Sequence, residues 1–258
     1  MVFMELTYLD SNSWFIEFDS TRILLDPWIV GDLTFNDTDW LFKSSKNRQH
    51  SIPENIDLIL LSQGLEDHAH PPTLKALAKN IPVVASPNGA KVARELGYFT
   101  VTTLEHGEVY TLKDCVEIKA LPGSRVGATT VENGYLFKGL KSGKTMYYEP
   151  HGNHCDEIKK ADSVDVIITP LVNLKLPLIG SVIKGQKTAL ELCQRLKPQV
   201  ILSTAAGGDV EVEGLLTSVL EQEGSVEGFT QLLKQNNLST KAIEPKSGEQ
   251  IELSALLI

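Results

Sequence analysis

The segment Leu60-Leu61-Ser62-Gln63-Gly64-Leu65-Glu66-Asp67-His68-Ala69-His70 joins an apolar run to a predicted helix. The run from Ile56 to Ser62 is almost continuously apolar, which is typical of a strand buried on both faces. A helix is predicted over Thr73–Lys79, because Pro72 fits a first helical turn, where a missing N–H costs nothing. The polar residues of the segment therefore lie in a turn at the end of a buried strand.

Patterns on both sides of this segment predict a mixed α/β fold. Before it, two short strands flank Asp19-Ser20-Thr21, a composition typical of a turn, and so predict a hairpin. The region from Ile29 to Pro53 lacks periodicity and is predicted to be a long loop. After the segment, a β-rich middle precedes an alternation of strands and helices. The predicted strands are Trp14–Phe18, Arg22–Asp26, Val83–Ala85, Val109–Leu112, Val116–Leu121, Gly134–Lys138, Thr145–Tyr148, Val164–Thr169 and Val200–Ser203, and the further predicted helices are Gly89–Leu96, Gln186–Leu196, Leu215–Glu223 and Val226–Gln235.

The order of these elements favours one layered domain. No internal repeat, low-complexity tract or linker-like run of Pro, Gly or Ser interrupts the sequence, so we interpret residues 1–258 as a single domain. Strands first, a β-rich middle and later βα alternation favour two sheets with helices outside both. The predicted architecture is a four-layer αββα sandwich.

Composition narrows the classes of function. The formal net charge is -9, so we expect no non-specific binding to nucleic acid or to an anionic membrane. No stretch approaches the roughly 20 apolar residues of a membrane helix, and the N-terminal residues lack the features of a signal peptide. The three cysteines (Cys115, Cys155 and Cys193) are odd in number and far apart, which favours reduced thiols. We therefore expect a cytoplasmic protein with a small-molecule ligand; its oligomeric state stays open.

The turn after Ser62 resembles the metal-binding motif of the metallo-β-lactamase superfamily. In that motif, the pattern His-x-His-x-Asp-His follows a Ser or Thr at the end of a strand. Asp67 and His68 occupy the last two ligand positions, whereas Gln63 and Leu65 stand where the first two histidines belong. Leucine has no donor atom and an amide oxygen is a poor ligand for zinc. The segment therefore resembles half of the motif.

Four other segments are similar to parts of the same superfamily, in the expected order. The opening strands, in segments from Glu5 to Trp28, resemble the branch that includes ascorbate-6-phosphate lactonase. The remaining matches are Ile118–Ser124, where Ser124 or Arg125 replaces the third-motif histidine; Met146–Gly152, where His151 stands at the position of the metal-bridging aspartate; and Gln199–Ala205, where Ala205 or a neighbour replaces the last histidine.

The resemblance implies a fold of the metallo-β-lactamase type and a reduced metal site. Asp67, His68 and His151 would hold one zinc or other divalent transition metal with a position left for water, and Asp67 and His68 would be catalytic. The implied reaction is hydrolysis of an ester, a lactone or a phosphoester. The alternative is an inactive relative that binds no metal and uses its cleft to hold a small molecule or a protein partner.

Each of these residues also has a structural interpretation. Asp67 and His68 can instead cap the helix that follows, and His70 can simply orient the turn. The cluster His151-Gly152-Asn153-His154-Cys155 is either part of a metal site through His151 or a polar loop before a helix, and we take His154 and Cys155 as structural.

The predicted architecture leads to two expectations about where segments lie in the fold. The stretch from Leu174 to Ile183 is expected to cover a pocket or to pack against a sheet edge. The strand-end residues of both sheets are expected to meet at one edge of the sandwich; they are Asp26, Asp67, His68, His151 and Ser203.

Overall fold

The computed structural model describes residues 4–126, 129–177 and 180–254. Its strands are, in chain order, β1 (Met4–Tyr8), β2 (Trp14–Phe18), β3 (Thr21–Leu25), β4 (Leu33–Thr34), β5 (Lys43–Lys46), β6 (Leu58–Leu61), β7 (Val83–Ala85), β8 (Val101–Thr103), β9 (Val109–Leu112), β10 (Val116–Val126), β11 (Thr130–Gly139), β12 (Thr145–Tyr148), β13 (Val166–Ile168), β14 (Asn173–Leu176), β15 (Gly180–Ile183), β16 (Val200–Leu202), β17 (Val210–Glu213), β18 (Glu221–Glu223), β19 (Lys241–Ile243) and β20 (Gln250–Glu252). Its helices are α1 (Pro71–Ala76), α2 (Pro87–Glu95), α3 (Asp156–Lys159), α4 (Gln186–Leu196) and α5 (Val226–Gln235), with a 3₁₀ helix over Leu215–Ser218.

Two seven-stranded sheets form the centre of the molecule. Their strand orders are β20-β1-β2-β3-β6-β7-β8 and β19-β16-β13-β12-β11-β10-β9. In the first sheet, β3, β6, β7 and β8 run parallel, and in the second β12, β13, β16 and β19 do so; the other pairs are antiparallel. Each sheet therefore has a parallel half, whose strands end at a common edge.

The apolar strands are buried on both faces because each sheet packs against the other sheet on one face and against helices on its other face. Along β6, Leu58 and Leu60 pack into the core between the two sheets, whereas Ile59 and Leu61 pack with residues of α1 and α2. Along β13, Ile167 packs outward with residues of α4 and α5. This alternation accounts for the continuous apolar runs and confirms the four-layer αββα sandwich.

Helices α4 and α5 have the predicted bounds because each presents one apolar stripe to the second sheet. In α4, Leu192 and Leu196 are buried, and in α5 Phe229 and Leu233 are buried, at the three- and four-residue spacing of a helix face. Among the described residues, no helix has the length and apolar content needed to cross a membrane.

Two predictions about local structure are wrong. The region from Ile29 to Pro53 contains β4 and β5, and β5 also pairs with β17 in a small separate sheet. The predicted helix over Leu215–Glu223 is a short 3₁₀ helix followed by β18, which pairs with β14. That segment has no buried residue, so a helix there would have no apolar face to bury, and edge pairing prevails.

The stretch from Leu174 to Ile183 is a β-hairpin of β14 and β15. Its residues 178 and 179 lie outside the described part of the chain. The long hairpin β10–β11 also exceeds its predicted bounds, and its register shifts between Pro122 and Arg125. Bulges of this kind redirect a side chain, and here Ser124 is buried against the second sheet's strand end.

Candidate metal site

The site lies where the parallel strands of the two sheets end. Asp26 follows β3, the turn from Ser62 to His68 follows β6, and His151 lies shortly after the end of β12. Carboxyl ends of parallel strands share an edge, and this edge brings Asp67, His68 and His151 together, with one potential ligand atom of each within 4.8 Å of the others.

His68 is fully buried between two carboxylates. Its Nδ1 lies 2.7 Å from Asp26 Oδ2, and its Nε2 lies 3.2 Å from Asp67 Oδ2. Burial lowers the pKa of His68, but the charges of Asp67 and Asp26 outweigh burial and raise this pKa to about 10. Burial raises the pKa of Asp67, yet the His68 cation beside it holds that pKa below its usual value. Without another cation, the three groups form an ion-paired row.

Asp26 fixes the orientation of His68. Its carboxylate also accepts hydrogen bonds from Ser62 N at 2.7 Å, Ser62 Oγ at 2.5 Å and the Tyr148 hydroxyl at 2.7 Å. Tyr148 belongs to the second sheet, so Asp26 connects the two sheets at the site. A carboxylate behind Nδ1 leaves Nε2 as the atom that faces Asp67 and any ion, an arrangement common to metal-binding histidines.

His151 faces His68, with their ring centroids 5.1 Å apart. Its Nδ1 lies 2.9 Å from the amide nitrogen of Gln63, at the position of the missing first histidine. Burial, followed by the His68 cation, lowers the pKa of His151 to about 4, so its ring is neutral at pH 7. Rotation of the Gln63 amide by 180° exchanges its nitrogen and oxygen. In that orientation the amide oxygen accepts a hydrogen bond from His151 Nδ1–H, and His151 Nε2 then has a free lone pair for an ion.

Glu149 holds the backbone of the His151 turn. Its buried carboxylate accepts hydrogen bonds from His151 N at 3.2 Å, Asn153 N at 2.7 Å and Ser124 Oγ at 2.5 Å. Burial raises the pKa of Glu149 to about 7. Ser124, one of the two residues that can stand at the position of the third-motif histidine, therefore supports the turn through Glu149.

Buried oxygen atoms without partners test whether the residues fit a metal ion. Among the described side chains, Asp67 Oδ1 is buried and accepts no hydrogen bond, and the same holds for Asn12 Oδ1 beside the cluster. An unpaired buried oxygen costs about 1–3 kcal/mol. Two imidazoles and a carboxylate are the donors that divalent transition metals take in proteins. The donors and the unpaired oxygens fit one such ion.

The other candidate residues have structural positions. His70, not Asp67 or His68, caps α1: its Nδ1 accepts from Thr73 N, and its Nε2–H donates to Asp32 O at 3.1 Å. The capping interpretation of Asp67 and His68 is therefore wrong. His154 packs on Tyr147, and Cys155 precedes α3 without a side-chain capping bond.

The end of β16 lies at the same edge of the second sheet as the end of β12. Ser203 lies at the expected edge but lines a separate recess with Tyr8 and Glu244. The neighbouring Thr204 accepts a hydrogen bond from Trp14 Nε1 at 3.1 Å. Ser203 thus lies at the predicted edge, in a recess that Asp67, His68 and His151 do not line.

Asn12, which contacts the cluster, belongs to none of the sequence motifs. Asn12 Nδ2 lies 3.4 Å from both Asp67 Oδ2 and His68 Nε2. Asn12 follows Asp10 and Ser11, both in the left-handed region, in the tight turn after β1. Its Asp-Ser-Asn composition indicates a turn but says nothing of a distant partner.

The cluster lies at the inner end of a cleft of about 1070 Å³. Gln63, Asp67 and His151 line it, together with residues of the β10 bulge, the loop before α3 and the hairpin β14–β15. The hairpin contributes Leu176, Val182 and Ile183 to the lining. The stretch predicted to cover a pocket therefore forms part of this cleft.

The chain belongs to the β-lactamase superfamily. The family model described as "Beta-lactamase superfamily domain" matches residues 5–205, which include Asp26, the turn after β6 and His151. No curated protein matches the chain in sequence.

Solved structures of the same fold come from distant organisms. An isothiocyanate hydrolase from Delia radicum gut bacteria is 15% identical, with a TM-score of 0.69 over 96% of this chain and 98% of its own. Igni18, a metallo hydrolase from Ignicoccus hospitalis, is 18% identical, with a TM-score of 0.65 over 96% and 97%. The metallo-beta-lactamase fold protein YhfI from Bacillus subtilis is 13% identical, with a TM-score of 0.63 over 96% and 98%. At these identities the likeness establishes the metallo-β-lactamase fold.

Proposed function

We propose that this protein hydrolyses an ester, a lactone or a phosphoester at a site that holds one zinc or other divalent transition-metal ion. The observation that carries the proposal is the convergence of Asp67, His68 and His151, within 4.8 Å, at the inner end of a large cleft. Two of the solved structures of this fold are described as hydrolases, which supports the reaction class.

The proposal assigns one ion because the ligands of a second are replaced. Gln63 contacts His151 through its amide, and Leu65 lines the cleft with an apolar side chain. Ser124 is engaged by Glu149. Asp67, His68 and His151 are three protein ligands, the number that leaves one position of a four-coordinate catalytic site for water.

The ion, when bound, supplies positive charge that polarises the scissile carbonyl or phosphoryl group and activates water. The chain's own residues prepare the site for it. Asp26 holds His68 through Nδ1, so that Nε2 faces Asp67 and the cleft. His151 is neutral at pH 7 because of burial, as a metal-binding imidazole must be.

The metal content of the full-length protein tests the proposal. Protein purified without added metal should contain no more than one transition-metal ion per chain, and calorimetric titration with zinc should show one site. His151→Ala should weaken zinc binding by orders of magnitude, since it removes one of three ligands. His106→Ala, which changes an exposed histidine outside the cleft, should bind zinc like the wild type.

Two tightly held ions per chain would contradict the one-ion site. Equal zinc affinity in wild type and His151→Ala would remove His151 from the ligand set. Circular dichroism of each variant separates loss of a ligand from loss of the fold.

A second candidate function is binding without catalysis. It is favoured by one observation: the His68 ring lies between Asp26 and Asp67 and, as a cation, already pairs with both carboxylates without a metal. In that case the cleft holds a small molecule or a protein partner, zinc binds neither wild type nor variant, and no ester, lactone or phosphoester is hydrolysed.

A further inference from the structure

The cleft above the cluster carries the opposite charge from the chain as a whole. The sequence has 33 acidic and 24 basic residues, which gives the formal charge of -9. Among the described residues that line the cleft, three are cationic, namely Arg125, Lys159 and Lys184, and Asp67 is the one carboxylate. We call these three residues the basic wall.

Ion pairs within the described part of the chain do not neutralise the charges of the basic wall. Within the described part of the chain, Arg125 and Lys159 have no acidic partner, and Lys184 Nζ donates to the neutral Asn153 Oδ1 at 3.0 Å. The nearby Glu157 is paired with Lys119 at 2.5 Å. Asp67 is engaged by His68. The cleft therefore presents net positive charge to a ligand.

Hydrogen bonds hold the backbone of Lys184 and the bulge that carries Arg125 beside the cluster. Lys184 N donates to the His151 carbonyl at 2.9 Å, so the lysine leaves the chain next to the site. Asn153 Nδ2 in turn contacts Ser124 Oγ at 3.3 Å, and Arg125 follows Ser124 in the β10 bulge. Lys159 lies close enough to His154 to contribute, after burial, to its lowered pKa.

Much of the remaining lining is apolar. Phe35, Leu65, Leu176, Val182 and Ile183 contribute apolar side chains to the same cleft. Leu65 and Val182 are 36% and 37% exposed, a large exposure for residues of their type in a protein with a well-filled core. Apolar surface next to a few charged groups is the usual lining of a site for small organic ligands.

We infer that the cleft selects organic anions, in which a carboxylate or phosphate group on an apolar body is bound by Arg125, Lys159 and Lys184. The inference rests on the proposed function to the extent that it names the class of substrate for hydrolysis at the neighbouring cluster. The anionic group is recognised by charge-assisted hydrogen bonds, which arginine and lysine form with either acid. The apolar body lies along Leu65 and the β14–β15 hairpin.

Binding of three matched probes tests the inference on full-length protein as purified. Hexanoate, hexyl phosphate and hexanamide share one apolar body and differ in charge. Calorimetry at low salt should give an affinity for the tighter of the two anions at least tenfold above that for hexanamide, and added salt should weaken anion binding alone. The tighter anion identifies the acid group of the substrate.

Variants of the basic wall leave the cluster intact. Any contribution of a metal ion to probe affinity is therefore the same in wild type and variant and cancels when the two are compared. Arg125→Gln/Lys159→Gln should weaken binding of the anions about tenfold and leave hexanamide binding within twofold of wild type. Lys91→Gln, an exposed lysine on α2 outside the cleft, is the matched control and should bind all probes like wild type. Equal affinity of wild type for hexanoate, hexyl phosphate and hexanamide, or unchanged anion binding in the double variant, would overturn the inference.

Hydrolysis and binding separate the two proposals. If wild type discriminates the probes by charge but hydrolyses no ester, lactone or phosphoester, the anion site stands and the proposed function fails. If it hydrolyses p-nitrophenyl butyrate and mono-p-nitrophenyl succinate with equal kcat/KM, the proposed function stands and anion selection fails.

Discussion

Asp26 has the most demanding environment of any carboxylate at the site. It is completely buried, and its backbone is in the left-handed region at φ 42°, a conformation that Asp and Asn tolerate better than other side chains. Four donors converge on its oxygens, from His68, Tyr148 and two atoms of Ser62. Only the His68 donor carries charge, so the two buried charges depend on each other.

Asp26→Asn should therefore be strongly destabilising although the shape is kept. Asn accepts the same backbone conformation but removes one of the two carboxylate charges beside His68, the one buried as completely as His68 itself, and loss of one member of a buried ion pair costs about 3–5 kcal/mol. Zinc affinity should also fall about 10–100-fold, since the support behind His68 is altered. Urea unfolding measures the first effect and calorimetry the second.

The control for this substitution is Glu17→Gln. Glu17 forms a half-exposed pair with Arg22 at 2.9 Å, and such pairs contribute no more than about 1 kcal/mol. If Asp26→Asn lowers the free energy of unfolding by no more than Glu17→Gln does, then Asp26 does not hold His68 as a cation.

Between elements, the closest packing at the site joins the end of β12 to the end of β15. Gly152, two positions after Pro150, is buried against the backbone of Lys184. Its φ is +76°, and a Cβ at this position would overlap the Lys184 carbonyl oxygen. Neither the backbone strain nor the overlap is relieved by rotating a side chain.

Gly152→Ala should consequently disrupt the site without changing any ligand. Alanine at a positive φ costs about 1–2 kcal/mol by itself, and the clash with Lys184 adds the displacement of two strand ends. Gly97→Ala is the matched control, because Gly97 has φ +82° and a Cβ there would meet no atom within 4 Å. Urea unfolding should show a far larger loss for Gly152→Ala, and a loss equal to that of Gly97→Ala would mean that the β12–β15 junction yields at no cost.

The elements with strong periodicity could be predicted from sequence, whereas those held by edge pairing could not. The bounds of α4 and α5 follow from apolar residues three and four apart, and the β2–β3 turn from Asp19 and Ser20, both at positive φ as a tight hairpin requires. Strand β5 has the sequence Lys-Ser-Ser-Lys, which has no strand signal, and exists because it pairs with β17, a strand far along the sequence.

The same distinction applies to the candidate site. Asp67 and His68 are predictable because motif and strand end coincide in one short segment, and His151 because a second strand end follows in order. Tyr148 reaches the cluster through the packing of the two sheets, and Asn12 through the strand order of the first sheet, which places the turn after β1 near the end of β6. Tyr148 meets Asp26 across 122 positions of sequence. No local pattern encodes a contact of that range.

At the scale of the whole molecule, acid stability depends on histidines that folding keeps neutral. Burial lowers the pKa of His154 to about 3, with a further contribution from Lys159, and its Nε2 is among the buried atoms without a partner. In the unfolded chain a histidine has its ordinary pKa of about 6.5. Between about pH 6.5 and about pH 3 the unfolded chain therefore binds a proton at this position that the folded protein does not bind.

The sign of the pH effect follows from this difference in bound protons. Stability falls as the pH falls wherever the unfolded state binds more protons, by at most about 1.4 kcal/mol per pH unit for one histidine.

His154→Gln substitutes a side chain that stays neutral in both states, so this part of the loss of stability in acid should disappear. Relative to its own value at about pH 7.5, the variant should retain about 2 kcal/mol more of its free energy of unfolding than wild type at about pH 5. Urea titrations at both pH values measure this difference even if the substitution lowers stability at every pH. His106→Gln, which replaces an exposed histidine in a turn, is the matched control variant. Parallel pH curves for wild type and His154→Gln would show that the folded protein accommodates the proton at His154.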